Sequence, residues 1–200
     1  MMIITAFATV ATATVPGAST AGGPTGVKVH VKGHARVGNS VKITGRVTPA
    51  HSREVTIKVN GRRIETTRSD ADGRFRLRWS TGNSGKYTVR AVVQRNERTT
   101  SVRSKGEKLN VYRPAQASYY GPGLYGNGTA CGGRLSPSTK GVAHKTLPCG
   151  AKVTLRYRGR TVTVPVIDRG PYAGNREYDL TAATKAKLGF GSTGTVLTTR

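Results

Sequence analysis

Apolar and polar residues alternate in short runs through the first half of the chain. Val41 to Val47 forms one such run, and Val55, Ile57 and Val59 mark the next. A period of two puts alternate side chains on one face of an extended strand, so each run predicts a half-buried β-strand. Asn60-Gly61 follows the second run and turns the chain back toward Ile64. That dipeptide between alternating runs is a strong hairpin signal. Asp72-Gly73 precedes Phe75 to Trp79, Ser84-Gly85 precedes Tyr87 to Val93, and Leu109 with Val111 closes the series. About seven short strands with regular turns predict an immunoglobulin-like β-sandwich over residues 27–113. Phe75, Leu77 and Trp79 alternate with arginines, which gives that strand one buried and one basic face.

The pattern changes after Arg113. Pro114 to Gln116 reads as a short linker. The segment 117–128 is rich in glycine and tyrosine, and six of the eight tyrosines lie in 117–200. Ala151 to Tyr157 pairs naturally with Thr161 to Ile167 across Arg158-Gly159-Arg160. Asp179 to Leu188 predicts a short helix with Asp179 as its N-cap and Gly189 as its stop. Gly194 to Arg200 predicts a last strand. One short helix among several strands predicts a small closed barrel over 117–200, and the whole chain is expected to be all-β.

Charge narrows the partners. The 33 Lys and Arg residues against 9 Asp and Glu give a formal charge of +24. Such an excess implies a polyanionic neighbour. It is spread over both halves, with no basic block and no recognition-helix or zinc-finger pattern. Nucleic acid and an anionic wall polymer both fit, and the nucleic-acid signal is charge alone, so no specific nucleic acid is expected. Met1 to Val15 is apolar, small and uncharged, and Pro16-Gly17 and small residues follow it. Residues 1–26 thus read as a signal peptide and leader without a basic start, and the expected location is outside the cytoplasm, with no membrane span after cleavage. A monomer is expected, with no cofactor.

In an exported protein the isolated pair Cys131 and Cys149 predicts a disulfide. Two free thiols or half a metal site are the alternatives. Three of the four histidines lie in the other half, which leaves a metal site poorly supplied. Only three acids lie in 117–200: Asp168, Glu177 and Asp179. Asp168 leaves a strand-like run into Arg169-Gly170-Pro171-Tyr172, a position at a sheet rim that functional residues favour. Closing an Asx turn is its plainer role. Glu177 reads as solvated.

Ala117-Ser-Tyr-Tyr-Gly121, Thr129-Ala130, Ala143-His-Lys-Thr-Leu-Pro148 with Gly150, Asp168-Arg-Gly-Pro-Tyr172 and Tyr178-Asp-Leu-Thr181 occur in this order. Together they resemble the six-stranded double-psi β-barrel of the rare lipoprotein A (RlpA) family. The resemblance covers 117–200 and implies a cell-envelope lytic transglycosylase. Such enzymes cut the glycan of peptidoglycan without water and leave a 1,6-anhydro sugar, which one general acid/base can accomplish. The resemblance implies His144 and Asp168 as catalytic residues. It implies Tyr120, Thr129, Arg169, Tyr172 and Asp179 as substrate-binding residues: the tyrosines for stacking on sugars, Arg169 for a wall carboxylate. The family's usual glutamate falls on Gly133, and a second acidic position falls on Ser136. The barrel also resembles expansins, whose essential aspartate corresponds to Asp179, and stapled barrels that inhibit proteases. Wall binding or loosening without cleavage, and protease inhibition, are therefore the alternatives to an enzyme.

Overall fold

A computed structural model of the protein describes residues 23–94 and 101–200, so the signal-peptide expectation lies outside the described residues apart from its last few positions. Among the described residues no helix is long and apolar enough to cross a membrane. The described residues are all-β apart from one helix. Strands β1 (Gly26–Val31), β3 (Val41–Thr48) and β6 (Arg74–Trp79) form one antiparallel sheet. Facing it are β5 (Arg62–Arg68), β4 (Glu54–Val59), β7 (Gly85–Gln94) and β9 (Glu107–Tyr120) in that order. β2 (His34–Arg36) runs parallel to β9, and β8 (Ser101–Arg103) pairs with β7. This is the strand order of an immunoglobulin-like sandwich.

The alternation in the sequence becomes the core. Ile43, Val47, Phe75 and Leu77 from one sheet pack against Val55, Ile57, Val89 and Leu109 from the other. The intervening arginines of β6 are exposed. Asn60 and Gly61 both have positive φ, at 49° and 82°, as the predicted two-residue hairpin requires.

The second core lies within a six-stranded barrel. Its strands are the second half of β9, β10 (Val142–Ala143), β11 (Lys152–Tyr157), β12 (Arg160–Asp168), β13 (Tyr178–Thr181) and β14 (Thr193–Thr198). They run in the order β13-β10-β12-β11-β14-β9, and a parallel pairing of β13 with β9 closes the ring. Val142, Leu155, Val166, Tyr178, Leu180 and Leu188 fill its interior.

Two local expectations change. Pro114 to Gln116 is not a linker but the middle of the 14-residue strand β9. That strand pairs with β7 through residues 107–111 and with β14 through residues 113–118. Proline's fixed φ suits extended backbone, and exposed Pro114 is followed by Ala115 and Ala117, which belong to the barrel core. One strand therefore serves both cores, and a hydrogen bond from Ser84 Oγ to the Arg200 carbonyl (3.2 Å) ties the units at a second point. The helix α1 (Ala182–Leu188) is capped by Thr181, whose hydroxyl accepts from the Thr184 amide, and not by Asp179. Threonine is itself a good N-cap, and the strand alternation that buries Tyr178 and Leu180 carries β13 on to residue 181. Gly189 ends the helix in the left-handed region, as expected.

Candidate active site

Four strands of the barrel bring one residue each into a single cross-strand row. Ala143 of β10 is in register with Asp168 of β12 on one side and with Asp179 of β13 on the other. Asp179 is in turn in register with Ser118 of β9. Neighbouring strands lie roughly 4.8 Å apart, so the two aspartate backbones stand about 10 Å apart with a methyl group between them. Ala143 is buried but does not belong to the barrel core.

Asp168 reaches this face through a bulge. Val162, Val164 and Val166 point into the core, so simple alternation would send Asp168 inward as well. The register slips by one residue between Val142 and Ala143, leaving Ile167 as the extra residue. The slip reverses the facing of Asp168 and aligns it with Ala143. Bulges beside active sites commonly re-aim a side chain in this way. Gly141 makes room for it, since a Cβ there would meet Ile167 at 2.5 Å.

One carboxylate oxygen of Asp168 accepts hydrogen bonds from the amides of Ala130 (2.9 Å) and Arg169 (2.8 Å). Neither is the bond to the Gly170 amide that the expected Asx turn would make; together they fix the carboxylate in place. Ala130 is held by its neighbours. Thr129 closes the turn through its hydroxyl on the Gly132 carbonyl, and the Cys131 amide donates to Ile167. The predicted disulfide joins Cys131 to Cys149, with the Cα atoms 5.4 Å apart. Arg169 donates to the carbonyls of His144 and Leu147 and to Cys149 Sγ, so its guanidinium braces the 144–149 loop. Gly133 is exposed, has φ +81° and has nothing within 4 Å of a notional Cβ. Ser136 is bonded within its own turn to Ser138 and Thr139. Changing both cysteines to serine is expected to cost about 3 kcal/mol of stability, read by chemical denaturation, because the bond closes a loop between residues 18 apart.

Asp179 is half-buried and accepts one hydrogen bond, from Ser118 Oγ at 2.8 Å. Burial raises its pKa above the ordinary aspartate value. The charge of Asp168 adds to the rise, and the Ser118 bond and Arg176 oppose it without cancelling it. The Tyr120 hydroxyl is buried with no hydrogen bond of good geometry. Burial and then the charges of Asp168 and Asp179 push its pKa up. Tyr120 is therefore a neutral phenol that feels the charge of both carboxyls. Tyr172 is the opposite case, a ring that is 78% exposed.

His144 does not pair with Asp168 through its imidazole. The two meet through backbone, the His144 amide donating to the Asp168 carbonyl at 3.2 Å. Its Nδ1 accepts from the amides of Thr146 and Leu147, so the proton sits on Nε2, which faces Glu177 Oε1 at 3.7 Å. Glu177 is not solvated as expected. It is half-buried and makes two charged hydrogen bonds with Arg113, at 2.7 and 2.6 Å. A cavity of about 450 Å³ opens beside this group, lined by His144, Glu177, Lys145 and Arg176. Sequence reading missed Glu177 and Arg113 because their partnership spans 64 residues. The available signal was spacing: Glu177 precedes Asp179 by two, directly before β13.

Acid stability follows from these shifts. Burial lowers the His144 pKa, and the nearby Glu177 charge only partly offsets it. Burial alone would raise Glu177, but its bonds and charge contact with Arg113 outweigh that and leave it lowered. Both folded pKa values lie below the unfolded ones, so the unfolded state binds more protons as pH falls. Stability should begin to drop as pH falls through 6.5, and drop again below 4.5. His144→Gln should remove part of the first decline, read by thermal melts across pH.

Residues 115–198 match the sequence profile of the lytic transglycolase family. That segment is an RlpA-like double-psi β-barrel. It is 44% identical over 80 residues to a Synechocystis sp. protein named probable endolytic peptidoglycan transglycosylase RlpA, covering 39% of this chain and 25% of that one. It is 39% identical over 93 residues to the endolytic peptidoglycan transglycosylase RlpA of Neisseria meningitidis, covering 46% of this chain and 39% of that one. The chain thus spans between a quarter and two fifths of these curated relatives. Among solved structures, Streptomyces papain inhibitor is similar at 30% identity, with 44% of this chain and 94% of that one covered and a TM-score of 0.35.

Proposed function

We propose that this protein is an exported cell-wall enzyme that cleaves peptidoglycan glycan strands by lytic transglycosylation. The observation that carries this reading is the row Asp168–Ala143–Asp179, which aligns two carboxyls of different surroundings across three neighbouring strands. Asp179, with its raised pKa, is the general acid. It protonates the glycosidic oxygen, and the bond from C1 to that oxygen breaks. The fixed carboxylate of Asp168 stabilises the positive charge that develops on the sugar ring. Asp179, now a carboxylate, takes the proton from the sugar's own 6-hydroxyl while O6 bonds to C1. One strand ends in a 1,6-anhydro sugar, the other in a free hydroxyl, and Asp179 is protonated again. Tyr172 offers its exposed ring to a neighbouring sugar. Tyr172→Ala should weaken binding to insoluble wall several-fold and leave the pH profile of cleavage unchanged.

Gly133, where the resembled family usually carries a glutamate, favours a second reading, in which the same row grips glycan without cutting it. Digestion of purified peptidoglycan in heavy-oxygen water, followed by mass spectrometry, separates the two. Anhydro ends free of heavy oxygen support transglycosylation. Labelled reducing ends mean hydrolysis, and binding without new ends means a grip alone.

A further inference from the structure

The cleft between sandwich and barrel, about 630 Å³ in volume, shares no residue with the aspartate row. Lys32 and Arg36 enter it from the sandwich, and Arg156 and Arg158 from the β11–β12 hairpin. No carboxylate lines it, and among the described residues none of the four cations belongs to an ion pair. Arg156 donates only to the Thr161 hydroxyl, at 3.2 Å. Charges from both units also converge on His34, whose pKa is lowered by burial and then by Arg156 and Lys32. Four cations around a low-dielectric cleft concentrate a positive field that an anion would relieve. The shared strand β9 holds the two walls in a fixed relation.

We propose that this cleft binds a linear phosphodiester polymer whose repeats carry no aromatic base, of the poly(glycerol phosphate) kind. Cations set apart on two walls match an anion that repeats along a chain better than a single compact one. The rings favour the base-free chain over a base-bearing one. Tyr112 is 1% exposed with its hydroxyl bonded to His34, and Tyr157 is covered by the Arg158 guanidinium at 5.3 Å from the ring centroid. Single-stranded nucleic acids gain much of their affinity by stacking on open aromatic rings, and here the exposed ring is the small imidazole of His34, itself hydrogen-bonded to Tyr112.

The test is calorimetric titration of the full chain with poly(glycerol phosphate), and with oligo(dT) of equal phosphate number, over a salt series. The polyol chain should bind more tightly than oligo(dT). Arg36→Gln with Arg158→Gln should weaken polyol binding at least about tenfold and reduce its salt dependence. Arg36→Lys with Arg158→Lys, which keeps both charges, should stay within about threefold. The exposed control pair Arg63→Gln with Arg76→Gln should change binding by less than about twofold. Equal losses in the two glutamine pairs, or tighter binding of oligo(dT), would overturn the proposal.

Discussion

Asp179→Asn is expected to abolish glycan cleavage and leave the fold intact. Asparagine keeps the oxygen that accepts from Ser118 Oγ, so the cross-strand row should persist. What it removes is the proton that breaks the glycosidic bond and the base that closes the anhydro ring. Loss of a positioned general acid/base costs about 10²- to 10⁴-fold in rate, and here one group does both jobs. The pH profile gives an independent check. The acid form of Asp179 persists to higher pH than a free aspartate keeps its proton, because burial and then Asp168 raise its pKa. Cleavage should therefore fall as pH rises through that pKa. Asp168→Asn removes a like charge, so the fall should begin at lower pH, on top of a lower rate. There is also a stability signature of opposite sign. A carboxyl whose folded pKa is raised adds stability below its unfolded pKa, and that stability is lost as pH rises through the folded value. Ionised Asp179 therefore weighs against folding at neutral pH, and Asp179→Asn should be more stable than the wild type there, a trade of stability for function.

Ala143→Leu is expected to reduce cleavage by about 10²-fold or more with both aspartates in place. Ala143 separates the two carboxyls by register and is 3% exposed, so little room surrounds its methyl group. An isobutyl group there would push the carboxyls off their positions, and misplacement of about 1 Å is enough for a loss of this size. The site is buried, so the larger side chain should also cost about 1–3 kcal/mol of stability. Ala143→Ser separates the two effects: it fits the space and should retain most of the activity. If serine were as inactive as leucine, polarity at this position and not bulk would be responsible.

The sequence made the sandwich legible wherever its strands are amphipathic and its turns are built by Asn-Gly or Asp-Gly. It misled where a residue's local chemistry suited two roles. Pro114 looked like a break, yet its φ also suits a strand. Asp179 looked like a helix cap, yet Thr181 two residues later caps as well, and that frees Asp179 to face Ser118. The site's members were mostly named from the motifs, but not their partners. His144 and Asp168 were named together, yet the His144 imidazole faces Glu177, since pairing across strands is decided by register and by the bulge at Ile167. No periodicity in a single chain reveals that slip of one residue. The bulge also recasts the acids: Asp168 becomes the fixed charge and Asp179 the proton carrier in the mechanism proposed above.

The most direct test of the account is a side-by-side digestion of purified peptidoglycan by the wild type and by Asp179→Asn at equal concentration and mildly acidic pH, counting anhydro-sugar ends by mass spectrometry over time. The account predicts steady accumulation with the wild type and none above background with the variant. Equal accumulation with both proteins, or none with the wild type, would contradict it.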